Sequence, residues 1–245
     1  MGRYNSEESA LDRTILRGRW ALITGASRGV GRQISVGLAD CGCNVVLHSR
    51  SLAHTATLAE ELAARGVQVR QIAAELTDQA QVDALVASAL AQTPGVDILY
   101  NNAAVMTPYR HEWLQSPAED FRVSFEANTI SPIRLCLGLI PGMVERGWGR
   151  IVNVTSGVRD QPEMLAYAAS KAALDKFVYD TAGRLAGDGV LMNLLDPGWL
   201  RTDLGGPNAP NPVESVLPGA LVPALVDDGT HGQLFRAQDY VGQTL

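Results

Sequence analysis

The sequence is poor in the residues that build disulfide frameworks and zinc sites. It has three cysteines, Cys41, Cys43 and Cys136, among its 245 residues. An odd number of cysteines in a chain of this length does not resemble a disulfide framework. The closely spaced Cys41 and Cys43 have no matching Cys or His pair downstream, as a zinc site would require. We therefore predict reduced, buried thiols and no metal site.

Long apolar runs and clusters of basic residues are also missing. No run of about 18 apolar residues occurs, so no transmembrane helix is predicted, and residues 1–17 lack the apolar core of a signal peptide. The chain has 20 Lys and Arg against 26 Asp and Glu, a formal net charge of −6. Phosphate binding needs clustered Lys and Arg. These features predict a cytoplasmic protein that binds neither nucleic acid nor membranes.

Apolar, strand-like runs alternate with longer helical stretches along most of the chain. This alternation predicts one α/β domain, a doubly wound parallel sheet of the Rossmann type with about seven strands and helices on both faces. The domain is expected to span residues 17–245, after an N-terminal extension of residues 1–16. A stretch rich in Gly and Pro, about 200–218, is expected to form a flap over a site. The predicted strands are 20–24, 44–48, 67–73, 96–101, 150–155, 190–196 and 231–237. The predicted helices are 28–40, 54–65, 78–91, 117–146, bent or divided at Pro132 and Pro141, and 165–186.

A glycine-rich turn follows the first predicted strand directly and opens the first helix. It reads Thr24-Gly-Ala-Ser-Arg-Gly-Val-Gly31. Gly25 allows the sharp turn, Gly29 lets a pyrophosphate approach the backbone, and Gly31 lets the helix pack closely on the sheet. The helix N-terminus offers free N–H groups and a positive dipole to phosphates. An ordinary tight turn is the alternative, but its position in an alternating chain favours a dinucleotide site.

Tyr167 and Lys171 are four residues apart on a predicted helix and therefore share one face. A Lys beside a Tyr lowers the pKa of the phenol, which can then exchange a proton with a carbonyl or alcohol oxygen. Ser156 is predicted to end the fifth strand, at the edge of the sheet where ligands bind. The alternative for Tyr167 and Lys171 is an ordinary exposed pair, and the alternative for Ser156 is a cap at the end of a strand. Asn128 in the preceding helix could hold a water or satisfy a helix break.

Four motifs in the same order resemble the short-chain dehydrogenase/reductase family. They are T-G-x-x-x-G-x-G at residues 24–31, Asn-Asn-Ala-Ala at 101–104, Y-x-x-x-K at 167–171 and Pro-Gly at 197–198. The resemblance covers roughly residues 17–245. It implies a Rossmann fold, a nicotinamide cofactor, a hydride-transfer reaction on a small carbonyl or alcohol substrate, and a homo-oligomer, either a tetramer or a dimer.

The resemblance also implies roles for individual residues. Asn128 would position Lys171 through a water, Ser156 would orient the substrate, Tyr167 would be the general acid and base, and Lys171 would bind the nicotinamide ribose. The implied cofactor-binding residues are Gly25, Ser27, Arg28, Gly29, Val30, Gly31, Ser49, Arg50, Glu75, Leu76, Asn102, Ala103, Tyr167, Lys171, Pro197, Gly198 and Thr202. The chain departs from the family pattern in Ala104, in Glu75-Leu76, and in a shorter loop between Ser156 and Tyr167. Thr155 is a possible substitute for Ser156.

The end of the second predicted strand bears on the choice of cofactor. A free ribose 2′-hydroxyl is usually bound there by Asp or Glu. This chain has Ser49 and Arg50 instead, and a hydroxyl and a guanidinium suit a 2′-phosphate. Arg28 can reach the same region, and the alternative is that both arginines are only solvated. We therefore predict that NADP(H) is preferred and that NAD(H) is possible.

The substrate is less well defined. Apolar residues expected at the pocket suggest a hydrophobic or aromatic ketone, although they could equally lie in the core or at a subunit contact. These residues are Met106, Trp113, Met164, Leu165, Trp199 and Leu204. The first prediction is an NADP(H)-dependent reductase of ketones or aldehydes with a Tyr general acid. The alternatives are an NAD-dependent alcohol, sugar or polyol dehydrogenase and, more remotely, a non-catalytic cofactor-binding regulator.

Overall fold

The computed structural model describes residues 11–244. Most of the predicted N-terminal extension, residues 1–10, therefore lies outside the described residues. The rest of it packs on the domain, since Arg13–Leu16 forms a 3₁₀ turn and Leu16 is fully buried in the core. The ordered fold thus begins before residue 17, where the sequence placed the boundary.

Seven parallel strands form one sheet in the order β3-β2-β1-β4-β5-β6-β7. The strands are β1 Trp20–Ile23, β2 Asn44–Ser49, β3 Val69–Ala73, β4 Ile98–Asn101, β5 Gly149–Val154, β6 Val190–Asp196 and β7 Leu234–Arg236. The helices are α1 Gly29–Asp40, α2 Ala56–Ala63, α3 Gln79–Gln92, α4 Ala118–Phe125, α5 Ser131–Glu145, α6 Leu165–Leu185 and the short α7 Val222–Leu225. The predicted fold class, a doubly wound parallel sheet, is confirmed.

Helices cover both faces of the sheet, because the central strands are buried on both sides. β1, β4 and β5 have no exposed residue, which is typical of parallel sheets and explains their continuous apolar runs. One core layer lies under α1, α2 and α7. The other lies under α3, α5 and part of α6. The sheet is therefore the middle of three layers.

The long predicted helix over 117–146 is divided in two. A π-helical turn, Glu126–Ile130, separates α4 from α5, and Pro132 lies in the first turn of α5, where a missing N–H costs nothing. Pro141 stays inside α5 and does not end it. Together Ala118–Glu145 is long and apolar enough to cross a membrane, but half of its most apolar window is buried in the fold, as in a core helix of a globular domain.

The strand order places a crevice at one edge of the sheet. The order in which the chain adds strands to the sheet reverses between β1 and β4, which are parallel and lie side by side at the centre. Loops leaving the carboxyl ends of these strands diverge to opposite faces, and ligands of open α/β sheets bind in the resulting crevice. The glycine turn follows β1, and the loops after β4, β5 and β6 surround it.

Arg150 on β5 is almost fully buried and ties the C-terminal part of the chain to the sheet. Its guanidinium donates to the carbonyls of Val226 (2.9 Å) and Gly149 (2.9 Å), pairs with Asp227 and lies over the Trp148 ring. Burial lowers the pKa of Arg150 to about 10, although the negative charge of Asp227 acts to raise it. Its hydrogen bonds satisfy carbonyl groups that water does not reach.

Replacing Arg150 with Met is expected to lower the free energy of unfolding by about 3 kcal/mol, because buried acceptors lose their donor. Urea denaturation measures the change. Arg122→Met is the control: Arg122 is exposed and pairs with Glu119, so its loss should cost about 0.5 kcal/mol or less. Equal midpoints for the two variants would contradict the structural role of Arg150.

Candidate active site

The glycine turn forms a cradle between β1 and α1. Gly25 and Gly29 have positive φ angles of 64° and 58°, which favour glycine. A Cβ on Gly31 would overlap the Gly25 carbonyl and lie 2.5 Å from Asn102 Nδ2. Arg28, at the N-cap of α1, makes no side-chain cap, so the first N–H groups of the helix face the crevice. This cradle fits the pyrophosphate of a dinucleotide.

His48 on β2 holds the glycine turn in place, and the sequence analysis missed it. Its Nδ1 accepts from the Gly25 N–H at 3.3 Å, and Nε2 lies 3.1 Å from the Ala74 carbonyl, which assigns the proton to Nε2. Burial lowers the pKa of His48, so the ring is neutral and can accept from Gly25. The only sequence signal was a polar residue inside an otherwise apolar strand.

Thr24 explains the close association of the glycine turn with the loop after β4. Its hydroxyl accepts from the N–H groups of Asn102 and Ala103, each at 3.0 Å. The Asn102 side chain donates back to the Thr24 carbonyl at 2.9 Å. The first and second motifs therefore form one hydrogen-bonded unit, which places Asn102 and Ala103 at the crevice as the sequence predicted.

The residues predicted to bind the 2′-phosphate of the adenosine ribose include two at the end of β2. Ser49 is buried and donates to the Ser51 carbonyl at 2.7 Å, while Arg50 is exposed. Arg28 forms an exposed ion pair of 2.5 Å with Asp203 in the flap. Arg50 is thus exposed at the end of β2, whereas Arg28 is paired with Asp203.

Glu75 and Leu76 follow β3 at the same edge. The Glu75 carboxylate accepts from the Thr77 N–H at 3.2 Å. The Leu76 side chain is buried in the core, and its carbonyl accepts from the Ser131 hydroxyl. Leu76 therefore offers only its backbone and packing to an adenine, whereas the Glu75 carboxylate keeps an oxygen for a further hydrogen bond.

Tyr167, Lys171 and Ser156 meet where β5 ends and α6 begins. Ser156 lies two residues beyond β5, not at its last residue as predicted, because the strand ends at Val154. Its hydroxyl shares a hydrogen bond with Tyr167, which lowers the pKa of that phenol, whereas burial, the larger effect, raises it. Thr155, the possible substitute, faces Asp175 on α6. The geometry therefore favours Ser156 over Thr155.

Lys171 does not act on Tyr167 as the sequence predicted. Its ammonium donates to the Val154 carbonyl at 2.8 Å, and burial lowers the pKa of Lys171 to about 8, although Asp175 opposes this. The pKa of Tyr167 is raised overall. Lys171 is not among the groups that shift the pKa of Tyr167 in this structure, so the expected lowering of the phenol pKa by Lys171 is not seen.

Asn128 lies fully buried in the π-helical turn. Its Oδ1 accepts from the Val105 N–H at 2.8 Å, and its Nδ2 donates to the Val105 carbonyl (2.8 Å) and the Ser170 hydroxyl (3.0 Å). The side chain thus joins the loop after β4 to α6, one residue before Lys171. All its polar atoms are used, so any water-mediated contact with Lys171 would involve the backbone.

The segment after β6 begins with Pro197 and Gly198 and continues into the flap. Gly198 has a φ of 83°. The Thr202 hydroxyl accepts from the Gly205 N–H at 3.0 Å, and its methyl group would lie 3.5 Å from a Cβ on Gly29. The Trp199 indole donates to the Gly205 carbonyl at 2.7 Å. Thr202 therefore lies against the glycine turn, and its predicted role in cofactor binding stays a prediction.

Five of the six predicted pocket residues are exposed apolar side chains, and Met164 is half-buried. The exposed ones are Met106, Trp113, Leu165, Trp199 and Leu204. They belong to the loops after β4, β5 and β6, which surround the catalytic cluster. Their exposure excludes the alternative that they form the core. No group of three or more His, Cys, Asp or Glu able to bind a metal occurs among residues 11–244.

Comparison with known proteins gives a consistent result. A short chain dehydrogenase family model matches residues 19–212. A short chain dehydrogenase of Pseudocercospora fijiensis is 33% identical over 79% of this chain, which spans 63% of that relative. A 3-oxoacyl (acyl-carrier-protein) reductase of Agrobacterium tumefaciens with NADP bound is 28% identical, with a TM-score of 0.83 and coverage of 96% and 98% of the two chains. A 7α-hydroxysteroid dehydrogenase in complex with NADH and 7-oxo glycochenodeoxycholic acid is 27% identical, with a TM-score of 0.82 and coverage of 94% and 96%.

Proposed function

Because the chain belongs to the short-chain dehydrogenase/reductase family of nicotinamide-dependent oxidoreductases, we propose that it reduces a ketone or aldehyde to an alcohol with NADPH. One observation carries the proposal: the buried Tyr167 is hydrogen-bonded to Ser156 and lies one helical turn from Lys171, at the edge that carries the glycine cradle. Of the solved relatives named above, one is named a 3-oxoacyl reductase and the other is in complex with a 7-oxo bile acid, and both compounds are ketones.

Burial raises the pKa of Tyr167, so the phenol keeps its proton at neutral pH. A phenol that remains protonated at neutral pH is a donor, and reduction of a carbonyl requires a proton at the substrate oxygen. Ser156 is placed to hydrogen-bond that oxygen while Tyr167 gives its proton. Lys171, buried beneath, can bind ribose hydroxyls through the donors that Val154 leaves free. When bound, the cofactor supplies the hydride.

The proposal is tested by following NADPH consumption with a panel of aldehydes, diketones, aryl ketones and β-ketoacyl thioesters. The exposed apolar residues at the pocket favour turnover of the aryl ketones and thioesters. Binding of NADPH without turnover of any panel member would oppose the proposal and favour a cofactor-binding regulator.

The preference for NADPH over NADH gives a separate prediction. Arg50→Ala is expected to weaken NADPH binding about tenfold, since a charge-assisted hydrogen bond to a 2′-phosphate contributes about 1.5–3 kcal/mol. The affinity for NADH should not change, because it lacks that phosphate. Fluorescence titration with each cofactor measures both values. Equal weakening of the two, or tighter NADH binding by the unaltered protein, would contradict the preference.

A further inference from the structure

Asp196 is a carboxylate at the catalytic edge of the sheet that the proposed reaction does not use. It is the last residue of β6, and β6 pairs with β5, so that the Thr155 N–H donates to the Leu195 carbonyl at 2.8 Å. Asp196 therefore stands beside the segment that continues into Ser156. In the sequence this position is only the end of the sixth predicted strand, 190–196.

The two oxygens of this carboxylate have different surroundings. Oδ1 accepts from the Gly198 N–H at 2.9 Å, which fixes the orientation of the group. Oδ2 lies 3.0 Å from the place that a Cβ on Gly157 would occupy. Gly157 is exposed and directly follows Ser156. Because Gly157 has no side chain, Oδ2 is not covered on that side, next to Ser156, and among residues 11–244 no hydrogen bond is formed to it.

The charge of Asp196 is not neutralised by a neighbour. Among residues 11–244, no Lys, Arg or His lies within ion-pair distance of it. Its field extends over the site, since it raises the pKa of both Tyr167 and Asp175. Asp175 is a second carboxylate on α6, and its charge interacts with that of Lys171. A half-buried carboxylate without a counter-ion favours a ligand that brings a positive charge.

We propose that Asp196 is a specificity-determining residue that selects carbonyl substrates carrying an ammonium group close to the carbonyl and disfavours carboxylate-bearing ones. The inference rests on the proposed reductase function, because the carbonyl must reach Ser156 and Tyr167. Attraction of one charge and repulsion of the other both contribute to such a choice. The exposed Trp199, three residues along, offers an aromatic face of the kind that binds ammonium groups.

Three small ketones test the charge selection, because they differ mainly in charge. They are trimethyl(2-oxopropyl)ammonium, its neutral carbon isostere 4,4-dimethylpentan-2-one, and acetoacetate. The readout is the ratio of kcat/KM for the cation to that for the neutral isostere, which cancels any loss of folded or cofactor-loaded protein. We expect a ratio of about ten or more in the unaltered protein, and the lowest kcat/KM for acetoacetate.

Asp196→Asn keeps the acceptor for the Gly198 N–H and removes the charge. In this variant the ratio should fall towards one, and acetoacetate should improve relative to the neutral ketone. Asp188→Asn is the matched control, because Asp188 is exposed before β6, at the opposite edge of the sheet, and its loss changes the net charge equally. The control should keep the ratio of the unaltered protein. A ratio near one in the unaltered protein, or the same fall in both variants, would overturn the role of Asp196.

Binding separates this inference from the proposed function. Saturation-transfer NMR on the protein with NADP⁺ measures competition between the cation and its isostere without turnover. Charge-selective binding that Asp196→Asn removes, together with no turnover of any ketone, would reject the reductase and keep the inference. If the neutral ketone is reduced but neither binding nor kcat/KM depends on the charge of the ketone, the reductase function is kept and the inference is rejected.

Discussion

Replacing Tyr167 with Phe is expected to lower kcat for carbonyl reduction by about 100- to 10,000-fold, the range that general acid catalysis contributes. The phenol hydroxyl is the group placed to give a proton to the substrate oxygen, and Ser156 shares a hydrogen bond with it. The ring itself is 5% exposed, so Phe fills the same space. The affinity for NADPH should change by less than about fivefold, the equivalent of one hydrogen bond.

Tyr179→Phe is the matched control for this change. Tyr179 is on the same helix, three turns later, and is 44% exposed. Its substitution should leave kcat and NADPH affinity unaltered. Steady-state kinetics and fluorescence titration on both variants decide the matter. A Tyr167→Phe variant that keeps more than about a tenth of the activity would assign the proton to another group.

Replacing Gly31 with Ala is expected to destabilise the domain by about 1–3 kcal/mol and to weaken NADPH binding more than 100-fold. The new methyl group would overlap the Gly25 carbonyl and press on Asn102. Relief of that contact requires a shift of the turn whose N–H groups face the cofactor phosphates. Both losses should therefore occur together.

Gly183→Ala separates this effect from a general response to a methyl group. Gly183 lies on the exposed side of α6, and the nearest atom to its Cβ would be 3.7 Å away, on His231. Ala should be neutral there or stabilise by about 0.5–1 kcal/mol. Thermal unfolding and NADPH titration measure both variants. A Gly31→Ala variant that binds NADPH as well as Gly183→Ala does would show that the cradle is not the phosphate site.

The architecture could be predicted from the sequence because its signals are local. The buried strands are continuous apolar runs, and the glycine turn follows the first of them directly. The motif residues Ser156, Tyr167 and Lys171 do meet at one edge, since strand ends and helix spacing fix their positions. Two residues four apart on a helix share one face, and this can be predicted from the sequence alone.

The energetics of the site could not be predicted in the same way. The Tyr167–Lys171 spacing does not reveal that Lys171 donates to Val154, or that burial raises the pKa of Tyr167. His48 and Asp196 were missed because their partners, Gly25, Ala74 and Gly198, are backbone groups. Hydrogen bonds to backbone groups leave almost no signal in a single sequence.

Transfer of deuterium from labelled NADPH tests the central claim most directly. NADPH carrying deuterium at one face of C4 is incubated with the protein and the best ketone of the panel, and the product is analysed by mass spectrometry. A stereospecific reductase places one deuterium on the carbinol carbon from one labelled face and none from the other. Consumption of NADPH without deuterium in the alcohol from either face would contradict direct hydride transfer in this crevice.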